Sequence, residues 1–320
     1  MPFYLWNCFS AVRTAWKSFI EGTFVGIGAS GQVYEVDEEI VLKSCRIFEQ
    51  PGSDASDSDR YHYASDTIFH SSLLQDERFI FRILQQWPHP HIIEAIDTDQ
   101  AEGIFLRRYQ PLPEGEIPAQ PTRIRWYRDI ADALCHLHKL GIAHGDVRID
   151  NVLFDNRGSA ILCDFSAASP FGQSNLVISD LPLPVNGPSP NLSEATDMFA
   201  IGSLLFQVEH GIKPESFCID AIIRNAWLGQ YRSTSEMLEN LHALDAQIDQ
   251  VVHDTQIHSE PISSLRERVR AWRKRRENNV GRVLDGILSE DQLQVLADCY
   301  GLDRDAELRF TSYDVPTHGN

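Results

Sequence analysis

HGDVRIDN, residues 144–151, gathers His144, Asp146, Arg148 and Asn151 in one short run. Downstream, in CDFS (163–166), stands Asp164. Phosphoryl transfer needs little covalent help from a protein and much positioning. It asks for a carboxylate to orient the acceptor hydroxyl, a cation near the γ-phosphate, and oxygen ligands for a metal. Asp146 suits the first task and Arg148 the second. Asn151 and Asp164 bring the hard oxygens that magnesium prefers. Each acid alone is at home in a turn; the ordered set points to the chemistry.

Toward the N-terminus, GIGASGQVY (26–34) supplies Gly26, Gly28, Gly31 and Val33. Glycines let a backbone approach phosphates where a side chain would collide. A second strand follows them, which favours a phosphate-covering hairpin over a dinucleotide fold, where a helix would follow. An ordinary glycine-rich hairpin has the same composition. Lys43 ends IVLK (40–43) and can reach α- and β-phosphates if an acid holds it. Glu77 is the candidate for that acid, on a helix expected over 67–87 with Leu73, Leu74, Ile80, Phe81 and Leu84 near one face, though a helix glutamate is more often a surface residue. Pro88 and Pro90 stop this helix. The acidic, serine-rich stretch 51–66 is expected to be a mobile loop, because its composition buries little.

Strands are expected at 24–36, 40–43, 104–106, 151–154 and 160–162, the last two flanking an Asn-Arg-Gly turn. Helices are expected at 122–140, with Gly141 as cap, and at 195–209, 222–228, 235–252 and 265–277. Residues 166–191 read as a long loop, and long loops in compact domains are often functional. Ser289 and Gln292 form a capping-box pattern before an apolar run.

The net charge of the 320-residue chain is −18, which argues against a nucleic-acid binder and is compatible with basic peptides. Against that acidity, 266–276 is a basic helix, a surface for an acidic partner or a solvated face anchored by Trp272. The six cysteines, Cys8, Cys45, Cys135, Cys163, Cys218 and Cys299, form no C-x-x-C pair, which suits reduced thiols in the cytosol or nucleus. No uninterrupted apolar run is long enough to span a membrane. The apolar, aromatic start, 1–16, suits a short amphipathic helix packed on the body, with membrane contact as the alternative.

GIGASG, Lys43, Glu77, HPHII (89–93), HGDVRIDN, DFS (164–166) and DMFAIG (197–202) together resemble the eukaryotic protein-kinase family over 24–241. The C-terminal pattern resembles small fungal kinase-like proteins. The resemblance implies an α+β, two-lobed fold with ATP between a small sheet lobe and a helical lobe, and a protein substrate. The implied division is an extension at 1–20, an N-lobe at 21–110, a C-lobe at 111–252 and a helical extension at 253–320. Gly26, Ile27, Gly28, Ala29, Ser30, Gly31, Val33, Lys43 and Leu153 would then surround ATP. Lys43 and Glu77 would hold its α- and β-phosphates, Asp146 would orient a Ser or Thr hydroxyl, and Arg148 would steady the γ-phosphate. Asn151 and Asp164 would hold Mg2+, and Asp197 would brace the catalytic loop through backbone N–H groups.

The chain departs from the family pattern at several points. Gly145 replaces the arginine that ties the catalytic loop to a phosphorylated activation loop, Arg148 replaces a lysine, and Ser166 replaces a glycine. No Ala-Pro-Glu is present, GPSPN (187–191) being the nearest stretch, which leaves Arg232 without its usual glutamate. The interval 211–221 is short where the family places a further helix. Cys163, beside the metal aspartate, is either a small buried residue or a thiol open to electrophiles. Two other readings share these residues: a pseudokinase that binds nucleotide without transfer, and a small-molecule phosphotransferase of the aminoglycoside-kinase type.

Overall fold

The computed structural model describes residues 24–27, 31–112, 118–175, 187, 189–210, 217–245, 260–275, 287–306 and 308–316. In chain order its elements are β1 (Phe24–Ile27), β2 (Gly31–Glu35), β3 (Ile40–Cys45), α1 (Asp57–Gln86), β4 (Ala95–Gln100) and β5 (Gly103–Arg107). Then come α2 (Gln120–Lys139), β6 (Ile142–Ala143), a 3-10 turn (Ile149–Asn151), β7 (Val152–Phe154), β8 (Ala160–Leu162) and β9 (Ser169–Pro170). The remainder is helical: α3 (Glu194–His210), α4 (Phe217–Trp227), α5 (Thr234–Asp245), α6 (Ile262–Arg275) and α7 (Glu290–Tyr300). The chain divides into two compact units, each assembled from three segments. The first is Met1–Arg82, Ala95–Arg108 and Glu260–Leu308; the second is Ile83–Glu94, Tyr109–Ser259 and Arg309–Asn320.

In the first unit the five strands form one antiparallel sheet in the order β1-β2-β3-β5-β4. Ile40 and Leu42 alternate with Val41 and Lys43 along β3, so the two pairs face opposite sides. Ile40, Leu42, Ile96 and Phe105 pack against Leu265, Val269 and Trp272 of α6. The Trp272 ring meets Phe105 edge-on, with centroids 5.7 Å apart. Burying side chains of this size is worth roughly 1.5–3 kcal/mol each.

Three of the basic residues of α6 are engaged within its own unit. Arg268 reaches Asp37 at 2.8 Å, Glu39 at 3.3 Å and Glu260 at 2.5 Å. Arg273 pairs with Glu102, and Arg266 donates to the carbonyl of Ile96. The acids that meet this helix thus come from the sheet's own loops and from Glu260, two residues before the helix starts. Arg276 lies outside the described residues.

The expected mobile loop at 51–66 is corrected by the structure: α1 begins at Asp57 and runs 30 residues. The serines and acids there form a cap rather than a solvated coil. Ser56 and Asp59 close a reciprocal box, with the Asp59 N–H on Ser56 Oγ at 3.1 Å and the Ser56 N–H on Asp59 Oδ2 at 3.3 Å. Asp57 and Asp59 oppose the positive end of the helix. Arg60 fastens the preceding turn by donating to the carbonyls of Ser53 and Ala55.

In the second unit α2 buries Ile130, Leu134 and Leu137 on one face, as its spacing predicts. It packs on α5, whose Met237 and Leu241 are wholly buried. Arg123 of α2 grips Glu209 of α3 through two 2.8 Å hydrogen bonds. Residues 91–93 join the β7–β8 hairpin: the Ile93 N–H donates to the Leu162 carbonyl and the Leu162 N–H to that of His91, both at 2.9 Å. Helix α4 starts at Phe217, inside the interval read from sequence as lacking a helix. The expected amphipathic helix at 1–16 falls outside the described residues, as do 246–252.

Candidate functional site

In the first unit, β3 brings Lys43 opposite Val33 on β2 and Ile104 on β5. Its ammonium meets both oxygens of Glu77 on α1 at 2.7 Å, and both side chains are buried, at 6% and 1% exposure. A buried pair persists only where geometry repays desolvation, and losing one partner strands a charge. Gly31 has a structural reason of its own: a Cβ there would stand 2.3 Å from the carbonyl oxygen of Ser44. Gly26 has none of this kind, since nothing lies within 4 Å of its built Cβ. Gly26 pairs with Val33, and Ile27 with Gln32. Gly28, Ala29 and Ser30 lie outside the described residues.

In the second unit the HGDVRIDN run folds around Asp146. The Asn151 amide donates to the Asp146 carbonyl and to its Oδ2, each at 2.8 Å. Arg148 Nε stands 3.4 Å from the same Oδ2, with its side chain half exposed. The other oxygen, Asp146 Oδ1, is buried and has no hydrogen-bond partner. Burial raises the Asp146 pKa, opposed by Arg148, His144 and the Asn151 hydrogen bond. His144 is wholly buried; its Nε2 lies 3.1 Å from the Cys163 carbonyl and its Nδ1 accepts from the Asp146 N–H. That network assigns the proton to Nε2. Leu153, half buried on β7, pairs with Ile161.

Asp164 is the one non-glycine among the described residues with positive φ, at 61°. Aspartate tolerates this region better than most residues because its short side chain bonds locally. Here Oδ1 accepts from the Ser166 N–H. No group of three or more His, Cys, Asp or Glu side chains among the described residues could hold a metal. A magnesium ion ordinarily takes one or two carboxylates and fills its shell from phosphates and water. Asn151 and Asp164 are a donor set of that kind.

Asp197, in the first turn of α3, is buried and holds the loop by its backbone. It accepts from the N–H of His144 at 2.7 Å and from that of Gly145 at 2.9 Å. His138 adds a 2.9 Å contact and turns its other nitrogen to Thr234. Neither His138 nor Thr234 carried a signal in the sequence, because each is recognisable only through its contact with Asp197. Gly145 has φ 77°, and a Cβ would come within 2.6 Å of the Ala167 carbonyl oxygen. The Asn175 amide donates to the Gly145 carbonyl.

A sequence profile described as the protein kinase domain matches residues 19–316. The chain belongs to the protein kinase family. Among curated relatives of this kinase chain is the NUAK family SNF1-like kinase 1 of Homo sapiens, 24% identical over 48% of this chain and 26% of that protein. The Aurora/IPL1-related protein kinase 2 of Caenorhabditis elegans is 28% identical over 48% of this chain and 56% of that protein. A probable serine/threonine-protein kinase HAL5-like of Eremothecium gossypii is 27% identical over 26% of this chain and 14% of that protein. The aligned regions span less than two thirds of each relative.

Membership in the kinase family implies ATP, a divalent metal and a protein substrate. Among the described residues no helix is long and apolar enough to cross a membrane. The kinase chain's departures have physical counterparts. Ser166 keeps an ordinary backbone, so the absent glycine costs nothing in this conformation. The Arg232 side chain is exposed and makes no ion pair among the described residues; its N–H donates to Glu236. Cys163 is buried, its N–H donating to the Asn151 carbonyl.

Proposed function

We propose that this chain is an ATP- and magnesium-dependent protein kinase that transfers the γ-phosphate to serine or threonine hydroxyls. The observation that carries the reading is Asp146: one carboxylate oxygen is fixed by Asn151, and the other is buried and unpartnered. Leaving such an oxygen unsatisfied costs stability, about 1–3 kcal/mol or more for a charged group, and functional sites are where that cost is met. An acceptor hydroxyl that donates its proton to Oδ1 would relieve it.

ATP supplies the phosphoryl group, and Mg2+ neutralises charge on its phosphates. Lys43, held straight by Glu77, would engage the α- and β-phosphates. Asn151 and Asp164 would hold the metal through their side-chain oxygens. Arg148, half exposed, has the freedom to approach the γ-phosphate while remaining near Asp146. The wording of the HAL5-like relative's name and the basic residue at position 148 support the serine/threonine assignment.

The test is transfer from ATP with magnesium to the chain itself and to a peptide library, comparing wild type with Asp146→Asn. Transfer that disappears in the variant is the expected result. A folded protein that ATP and magnesium stabilise but that transfers nothing would replace this reading with a nucleotide-binding pseudokinase. Phosphorylation of a metabolite and of no peptide would replace it with a small-molecule phosphotransferase.

A further inference from the structure

A cavity of about 60 Å3 lies within the first unit, between α1, the residues that follow β3, and the start of α7. It is several times the roughly 10–15 Å3 that one water requires. Its lining includes Arg46, Tyr63, Thr67, Gln75, Arg78 and Glu290. Two guanidiniums facing one small cavity are notable in a chain of net charge −18. The acid at its rim, Glu290, is already matched: its side chain pairs with Arg304. The Arg78 Nη2 donates to the Gln100 carbonyl at 2.7 Å, while its Nε is buried with no hydrogen-bond partner. Burial lowers the Arg78 pKa, and the nearby carboxylates of Glu290 and Glu102 offset this only in part. A planar guanidinium offers parallel donors suited to the oxygens of a phosphate.

We propose that this cavity is a binding site for a phosphate group, held by Arg46 and Arg78 with the hydroxyl or amide groups of Thr67 and Gln75 beside it. Arg78 directly follows Glu77 on α1, and Arg46 directly follows β3, which carries Lys43. An anion clasped by both arginines would tie the end of β3 to α1 and stiffen the two elements that form the Lys43–Glu77 pair. The site would therefore make the state of that pair answer to a ligand that is not the nucleotide.

The test uses the full chain, with inorganic phosphate in one arm and an acetylated phosphoserine tripeptide in the other. Ionic strength is held constant with chloride. The expected result is a saturable rise in Tm with at least one probe, lost in Arg78→Gln and in Thr67→Val combined with Arg46→Gln. Response to free phosphate alone would identify a small-ion site, and response to the tripeptide a site for a phosphorylated side chain. ADP added to each variant should still raise Tm, which shows that the variants fold and separates this site from nucleotide binding. A rise of equal size in wild type and Arg78→Gln, or no rise with either probe, would overturn the proposal. If Arg78→Gln fails to fold, the Arg78 Nε–H resonance of the wild-type protein decides: an unchanged signal at saturating phosphate overturns it.

Discussion

Lys43 with Glu77 and Asp146 with Asn151 are both buried polar constellations, yet the two units treat them in opposite ways. In the first unit the Lys43 ammonium lies 2.7 Å from both oxygens of Glu77, hydrogen-bonding Oε1 and opposing the charge on Oε2, so the carboxylate faces a fixed cation. In the second, Asn151 occupies one oxygen of Asp146 and leaves its twin bare. The difference separates holding from reacting. A group that fixes a ligand is best locked by its own protein before the ligand arrives. A group that must take a proton is best left one bond short.

The largest effect is expected from breaking the locked pair. Lys43→Met should lower stability by about 3–5 kcal/mol, because Glu77 would be left as a buried uncompensated charge; urea unfolding would show it as a reduced midpoint. A Glu77→Gln, Lys43→Met double variant should recover part of that loss, and no recovery would mean that the pair is not the cause. Next in size is Gly145→Arg. A side chain at φ 77° costs roughly 1–2 kcal/mol before any clash with Ala167 is counted. Ser56→Ala should cost about 1 kcal/mol through the start of α1 and leave Lys43–Glu77 intact, so stability should fall with little change in ATP affinity.

The bare oxygen gives a prediction of sign. Burial raises the folded pKa of Asp146 above its unfolded value, so its charge disfavours folding at neutral pH, and this cost disappears as pH falls through the raised pKa. Asp146→Asn should therefore be more stable than wild type at neutral pH, and the gap should close on acidification. A gap that widens in acid would mean that the carboxylate is stabilising. The smallest expected effect is none: phosphatase treatment should leave transfer unchanged, since Gly145 offers no charge to receive an activation-loop phosphate.

What the sequence revealed follows range of interaction. The hydrogen bonds that seat Asp146 inside the 144–151 run join residues two to five apart, so that part of its pattern is readable. Lys43 and Glu77 are far apart, but strand and helix periodicity point them toward recognisable roles. The start of α1 is not legible in the sequence because Ser, Asp and Gly composition cannot distinguish a cap from a coil; the distinction lies in the Ser56–Asp59 geometry. Strand β4, AIDTDQ, gave no signal, because only Ala95 and Ile96 are apolar and its pairing comes from β5. The acids that meet α6 were equally hidden, since Asp37 and Glu102 are more than half the chain away from it.

The three-segment make-up of the first unit has a consequence for how the protein is born. Ile40, Leu42, Ile96 and Phe105 leave the ribosome early, but Leu265, Val269 and Trp272, which cover them, are translated only after most of the second unit. At ordinary elongation rates the delay is on the order of ten seconds or more. Throughout that interval the nascent sheet presents a greasy, strand-rich surface with no lid. The chain should therefore depend on chaperone shelter during synthesis, and any stall or truncation before codon 262 should yield an aggregating fragment rather than a working half.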